Sequence, residues 1–136
     1  MKKLLLALAL LGLASPAIAQ SQCVVPANAP ATSIVSTSLE GSHVLKASPG
    51  CLLSGYVYNA GAAAFLMVFN SNTLPSNGAV ASIECVPVAA ASYQYINFAP
   101  QPPEWYSTGI TMAISTGADC LHLTVGSGAW FHALVQ

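Results

Sequence analysis

The sequence predicts an all-β domain: a two-sheet antiparallel sandwich, jelly-roll-like, after a cleaved amino-terminal signal peptide. Short strand-like runs recur, with turn signals roughly every 8 to 12 residues. Within several runs apolar and polar residues alternate with period two, which suits a sheet with one buried face. Beyond the leader, no stretch sustains a helical period with caps at its ends.

The elements follow in order. Residues 1–19 read as the leader. Lys2 and Lys3 precede the apolar run Leu4 to Leu13, and Ala17-Ile18-Ala19 places small residues at the cleavage site. The run is too short to cross a bilayer comfortably and Pro16 interrupts it, so no stable membrane span is expected after cleavage. Gln20-Ser21-Gln22 before Cys23 does not fit a lipid-anchor signal. The mature chain is expected to start near Gln20 and to be exported to a periplasmic or extracellular space. Residues 20–32, with Pro26 and Pro30, read as an extended arm. Residues 33–136 then form the sandwich domain.

Its expected strands are Ser33–Leu39, His43–Ala47, Cys51–Tyr58, Ala63–Phe69, Ala81–Val88, Tyr93–Phe98, Gly109–Ser115, Cys120–Val125 and Ala129–Val135. Breaks fall at Ser48-Pro49-Gly50, Asn59-Ala60-Gly61, Pro75-Ser76-Asn77-Gly78, Thr116-Gly117-Ala118-Asp119 and Gly126-Ser127-Gly128. Ala89-Ala90-Ala91 is a short bridge between strands. Ile110, Met112 and Ile114 alternate with polar or small neighbours. Leu121, Leu123 and Val125 do the same, so all three are expected inside. "AFLMVF" is apolar on both faces, as a central or covered strand would be.

The loop "NFAPQPPEWYSTGI" lies between the sixth and seventh strands. Pro100, Pro102 and Pro103 cannot donate ladder hydrogen bonds. The segment therefore reads as a sheet-to-sheet crossover, with Trp105 packed over one end of the core and Glu104 facing solvent. The same stretch supplies the candidate binding loop: Gln101, Glu104, Trp105 and Tyr106.

Charge excludes several functions. Once the leader is removed, Lys46 stands alone against Glu40, Glu84, Glu104 and Asp119, with no arginine, giving a net charge of −3. Nucleic-acid binding needs a positive surface and is excluded. A polybasic membrane patch is excluded on the same ground. The low charge favours self-association.

Catalysis finds little support. His43, His122 and His132 are the available bases, the four acids are the only carboxylates, and no G-x-S-x-G turn is present. A small hydrolase is the weakest alternative; within it, Glu84 and Glu104 are the carboxylates a glycosidase would need. No catalytic residue, metal site or cofactor is assigned. Binding is better supplied. Tyr56, Tyr58, Tyr93, Tyr95, Trp105, Tyr106 and Trp130 offer rings, and Asn70, Asn72, Asn77 and Gln101 offer amides. Rings with neutral amides are what recognition of a neutral glycan requires, so a secreted carbohydrate-binding module using exposed aromatics is the alternative to the first reading, an exported non-catalytic structural or interaction protein. In this reading Tyr56 and Tyr58 share one face, and Tyr93 and Tyr95 share another.

Cys23, Cys51, Cys85 and Cys120 lack any C-x-x-C or His-x-x-x-His pattern, which argues against a metal. In an oxidising compartment they imply two disulfides, with three pairings open.

From about His43 to Val135, four stretches recur in a characteristic order: "VLKASPGCLLSGYVYN", "AFLMVFNSNTLPSNGAV", "FAPQPPEWYSTGITMAIST" and "ADCLHLTVGSGAWFHALV". In that order the chain resembles a family of small β-sandwich proteins encoded in tailed-phage and prophage genomes. The resemblance implies a virion-associated structural or accessory protein without catalysis, partnered by itself or by another surface or virion protein. The leader and the two cysteines Cys23 and Cys51 depart from that pattern and point to an exported relative. Cys85 and Cys120 both fall in the matching region, so the resemblance implies a Cys85–Cys120 bond, with Cys23–Cys51 gained together as a second pair.

Overall fold

The computed structural model describes Cys23 and residues 29–97 and 103–136. The expected leader, most of the arm and Gln101 lie outside the described residues. The described residues form eleven strands: β1 (Thr32–Val35), β2 (Ser42–Lys46), β3 (Gly50–Asn59), β4 (Ala64–Asn70), β5 (Gly78–Ala79), β6 (Glu84–Val88), β7 (Ser92–Asn97), β8 (Glu104–Tyr106), β9 (Ile110–Ser115), β10 (His122–Leu123) and β11 (Ala129–Val135). No helix is present among the described residues.

One sheet runs β1-β11-β3-β7, with β8 also on β3; the second runs β2-β9-β4-β6; β5 and β10 form a separate ribbon. Every ladder is antiparallel. With β5, β8 and β10 set aside, the pairing is nested. β1 pairs β11, β2 pairs β9, β3 pairs β7 and β4 pairs β6. The contacts β11–β3 and β9–β4 then join these pairs into two sheets.

The sheets face each other across one core. Leu52, Val57, Phe131 and Val135 enter it from the first sheet; Leu66, Val68, Ile110, Met112 and Ile114 enter from the second. Gly55 on β3 lets the sheets approach, since a Cβ there would sit 2.6 Å from Met112 Cε. The run "AFLMVF" is β4, central in its sheet. Leu66 and Val68 point into this core, while Met67 and Phe69 point outward into a second one. There they meet Ala113, Leu123, Leu74 and Val80 beneath the ribbon. A strand buried on both faces must be apolar on both, which explains its composition.

The structure joins Cys85 to Cys120, with Cα atoms 5.8 Å apart, and Cys23 to Cys51, with Cα atoms 5.9 Å apart. The first bond ties the ribbon to β6; the second ties Cys23 to the outer side of β3. At the corner between β6 and β7, Ala91 takes a positive φ of 47°. That conformation is unusual for a residue with a Cβ, and it explains why the alanine cluster turns rather than winding into a helix.

Three expectations are corrected. The Cys120–Val125 strand shrinks to His122–Leu123, and Leu121 is 66% exposed rather than inside. The carboxylate of Asp119 accepts the Leu121 N–H at 2.9 Å, which turns the chain before pairing starts. The crossover after β7 is not free of ladder bonds, because Glu104, Trp105 and Tyr106 pair with Leu52, Cys51 and Gly50. Within that strand Tyr106, not Trp105, enters the core. Tyr106 is fully buried and Trp105 is 41% exposed.

Candidate functional site

The outer face of the first sheet is where Trp130 and four of the tyrosines converge. On β11, Ala129, Phe131, Ala133 and Val135 are buried, so Trp130, His132 and Leu134 point outward. The same alternation on β3 turns Ser54, Tyr56 and Tyr58 outward, and on β7 it turns Tyr93, Tyr95 and Asn97 outward. Register then lines these residues up across the strands. His132 lies opposite Tyr56, and Tyr56 opposite Tyr95; Trp130 lies opposite Tyr58, and Tyr58 opposite Tyr93. The four tyrosines therefore share one face, correcting the two faces expected from the sequence.

Tyr56 is the hub. Its ring centroid lies 4.8 Å from His132, 5.4 Å from Tyr95, 5.6 Å from Trp130 and 6.3 Å from Tyr93. Tyr58 and Tyr93 are 4.7 Å apart. Such ring pairs stabilise a sheet by about 0.5–1.5 kcal/mol each beyond area burial, so the cluster also holds β11, β3 and β7 together. Part of it remains open: Tyr93 is 56% and Tyr95 63% exposed. At the β1 end, His132 Nε2 hydrogen-bonds Ser33 Oγ at 2.9 Å. No lysine, aspartate or glutamate points out of these rows.

Two of the amides expected to join the rings, Asn70 and Asn77, do not. Asn70 donates to Ser107 Oγ at 2.9 Å and accepts the Thr108 N–H at 2.8 Å, while Asn77 accepts the Val125 N–H at 3.0 Å. Both brace loops elsewhere. Hydroxyls of serine and tyrosine, the Trp130 indole N–H and the His132 imidazole are among the polar groups on the aromatic face.

Of the candidate loop, Glu104 is half-buried, Trp105 is exposed beside Cys51 and Tyr106 is inside, so the three cannot act as one surface. Glu104 meets Glu84. Burial raises the Glu104 carboxyl above its ordinary value, and Glu84 raises it further through its charge and a hydrogen bond between the two carboxyls. Tyr106 Oη is buried without a hydrogen-bond partner. Burial, then the charges of Glu104 and Glu84, push its phenol far above the ordinary value.

Glu40, His43, Asp119 and His122 are held in local hydrogen bonds. The Glu40 carboxylate accepts the Ser36 hydroxyl at 2.5 Å and meets His43 Nδ1 at 2.7 Å. The carboxylate, not the histidine, occupies the middle, so the imidazole does not activate the hydroxyl as a nucleophile requires. Ser36 is itself buried and accepts the Phe131 N–H at 3.0 Å. Asp119 and His122 pair at 3.1 Å on the exposed ribbon. Hydrogen bonds from Leu121 N–H and His122 hold Asp119 below its ordinary value. An open apolar cleft of about 470 Å³ between β4, β6 and β7 is lined by Ala63, Phe65, Pro87 and Val88, with Ser92 and Gln94 as its polar groups. No titratable side chain lines it. Among the described residues, no group of three or more His, Cys, Asp or Glu could hold a metal ion. Nor is any described helix long and apolar enough to cross a membrane.

No family model, curated protein or solved structure matches the chain.

Proposed function

We propose that this protein is an exported, non-catalytic jelly-roll module that binds a neutral glycan on the outer aromatic face of its first sheet. The single observation that carries the reading is the convergence of Trp130, His132, Tyr56, Tyr58, Tyr93 and Tyr95 on one uncharged face, with its edge tyrosines more than half exposed. Pyranose rings present apolar C–H faces and neutral hydroxyls. A ring that is both apolar and capable of hydrogen bonding suits such a partner, and a face without charge does not favour an ionic one.

The jelly-roll assignment is supported by the nested strand order, first with last and inward from there, which is how two interlocked Greek keys are wound. Export is supported by the leader and by two disulfides, which persist in oxidising compartments. A non-catalytic role is supported by the placement of the acids and histidines in structural hydrogen bonds. The phage-accessory resemblance is carried by the order in which its turn motifs occur and enters here as a proposed origin, in which the module would attach an exported accessory protein to a glycan-coated surface.

A second reading has its own observation. Val35, beside His132 on β1, is 41% exposed and continues the apolar surface, so the same face suits a second copy of the chain.

The test is affinity electrophoresis through gels containing soluble neutral polysaccharides, with the Tyr93→Ala/Tyr95→Ala double variant beside the parent. Retardation of the parent and free migration of the variant supports the glycan reading. Identical migration of both in every gel sinks it. Light scattering that shows a parent dimer and a monomeric variant assigns the face to self-association instead.

A further inference from the structure

We infer that the aromatic face takes a single glycan chain, twisted and laid across the strands, and not the flat surface of a packed polysaccharide. This rests on the glycan-binding reading above and specifies the physical form of its ligand.

The ring planes carry the inference. Every ring pair that crosses from one strand to the next is tilted. The angle is 34° for Tyr56 with His132, 39° for Tyr56 with Tyr95, 42° for Tyr58 with Tyr93, 49° for Tyr56 with Trp130 and 57° for Tyr56 with Tyr93. Trp130 and His132 both stand on β11, and they differ by only 16°. The twist of the sheet, about 20–25° per strand, contributes to this tilt, and the side-chain torsions supply the remainder.

A packed polysaccharide presents coplanar sugar rings. If Tyr56 lay flat against such a plane, His132 and Tyr95 on either side would be rotated away from it and would touch by an edge. A single chain has free torsions at each glycosidic bond and can turn each sugar to meet each ring. The spacing suits this too. Along the row His132–Tyr56–Tyr95 the centroids are 4.8 and 5.4 Å apart, comparable with the advance of one pyranose in an extended chain. Three strands span about 10 Å, so contact is complete once a few sugars are bound. Sugars with equatorial hydroxyls keep both apolar faces clear for stacking, so an extended β-linked neutral chain is the class that fits. The exposure of Tyr93 and Tyr95 at the β7 edge gives the chain an open side from which to enter.

The experiment uses soluble β-1,4-linked oligomers of glucose and of N-acetylglucosamine, from monomer to hexamer, in titration calorimetry. The same polymers in crystalline and in amorphous form serve for sedimentation binding. Affinity should rise at least tenfold from monomer to trimer and then level off, with retention on amorphous polymer and little on crystalline. Tyr95→Ala, exposed and checked for folding by circular dichroism, should lose about tenfold for the trimer and almost nothing for the monomer. Retention on crystalline polymer without binding of soluble oligomers would overturn the single-chain inference while leaving glycan binding intact. No binding to any oligomer or polymer would overturn both.

Discussion

Strand β8 offers the sharpest test of how the chain is packed, because two adjacent aromatic residues should respond to substitution in opposite ways. Tyr106 is fully buried and its hydroxyl has no partner. An unsatisfied buried polar group costs about 1–3 kcal/mol. Tyr106→Phe removes that group and keeps the ring, so the variant should gain about 1 kcal/mol, or about 4 °C in melting temperature for a domain of this size. Tyr106→Ala removes the ring as well and should lose about 3–5 kcal/mol, including the cavity left behind. Trp105, one residue earlier, is 41% exposed. Truncating it returns partly buried area to water without opening a core cavity, and should cost about 1–2 kcal/mol. The assay is chemical denaturation of the parent and three variants followed by far-ultraviolet circular dichroism, which does not depend on the tryptophan removed. If Trp105→Ala costs as much as Tyr106→Ala, Trp105 caps the core after all and the assignment of faces on β8 is wrong. If Tyr106→Phe is destabilised by more than 1 kcal/mol, the hydroxyl has a partner and the account of its burial fails.

Four further outcomes follow from the same structure. Glu104 has a raised carboxyl in the folded state, so its contribution is fully present below the ordinary carboxylate value near 4.5 and is lost as pH rises through the higher folded value; melting temperature should fall with rising pH across that window, and a Glu104→Gln variant that keeps the same slope would refute the assignment. Replacing Cys85 and Cys120 by alanine opens a loop of 35 residues and should cost about 3–4 kcal/mol, read as a lower denaturation midpoint; an unchanged midpoint would show that the ribbon needs no tether. Leu123→Ala empties the second core and should cost about 2–5 kcal/mol, whereas Leu121→Ala, on the exposed side, should stay within about 0.5 kcal/mol; equal losses from the two would contradict the observed strand face. Ala91→Gly relieves about 1 kcal/mol of left-handed backbone strain, partly offset by unfolded-state entropy, so a small rise in thermal stability is expected and a clear fall would count against the turn.

The sequence by itself determined the local matters. Alternation in "AWFHALV" marks β11 with its one buried face, and the double-sided apolar run of β4 announces a strand covered on both faces; "ITMAIS" marks β9, but its alternation suggested one buried face and all six of its residues are buried. Three lysines, two of them in the expected leader, against four carboxylates and no arginine are the basis on which the sequence argues against a phosphate-binding surface. These features are legible because each depends on neighbours along the chain: pleat, turn chemistry and charge. Tertiary structure decided the rest. Period two says that Tyr56 and Tyr58 share a face and that Tyr93 and Tyr95 share a face; it does not say that the faces are the same one. That depends on the antiparallel register of β3 with β7, set between residues some forty positions apart. On β8 the difference was a single residue, since a one-residue shift exchanges inside for outside. The sequence suggested Trp105 for the core by size, but pairing with β3 put Tyr106 there and turned Trp105 out. The aromatic face is likewise a product of pairing: its rings come from three separate strands, and only their register brings them within stacking distance.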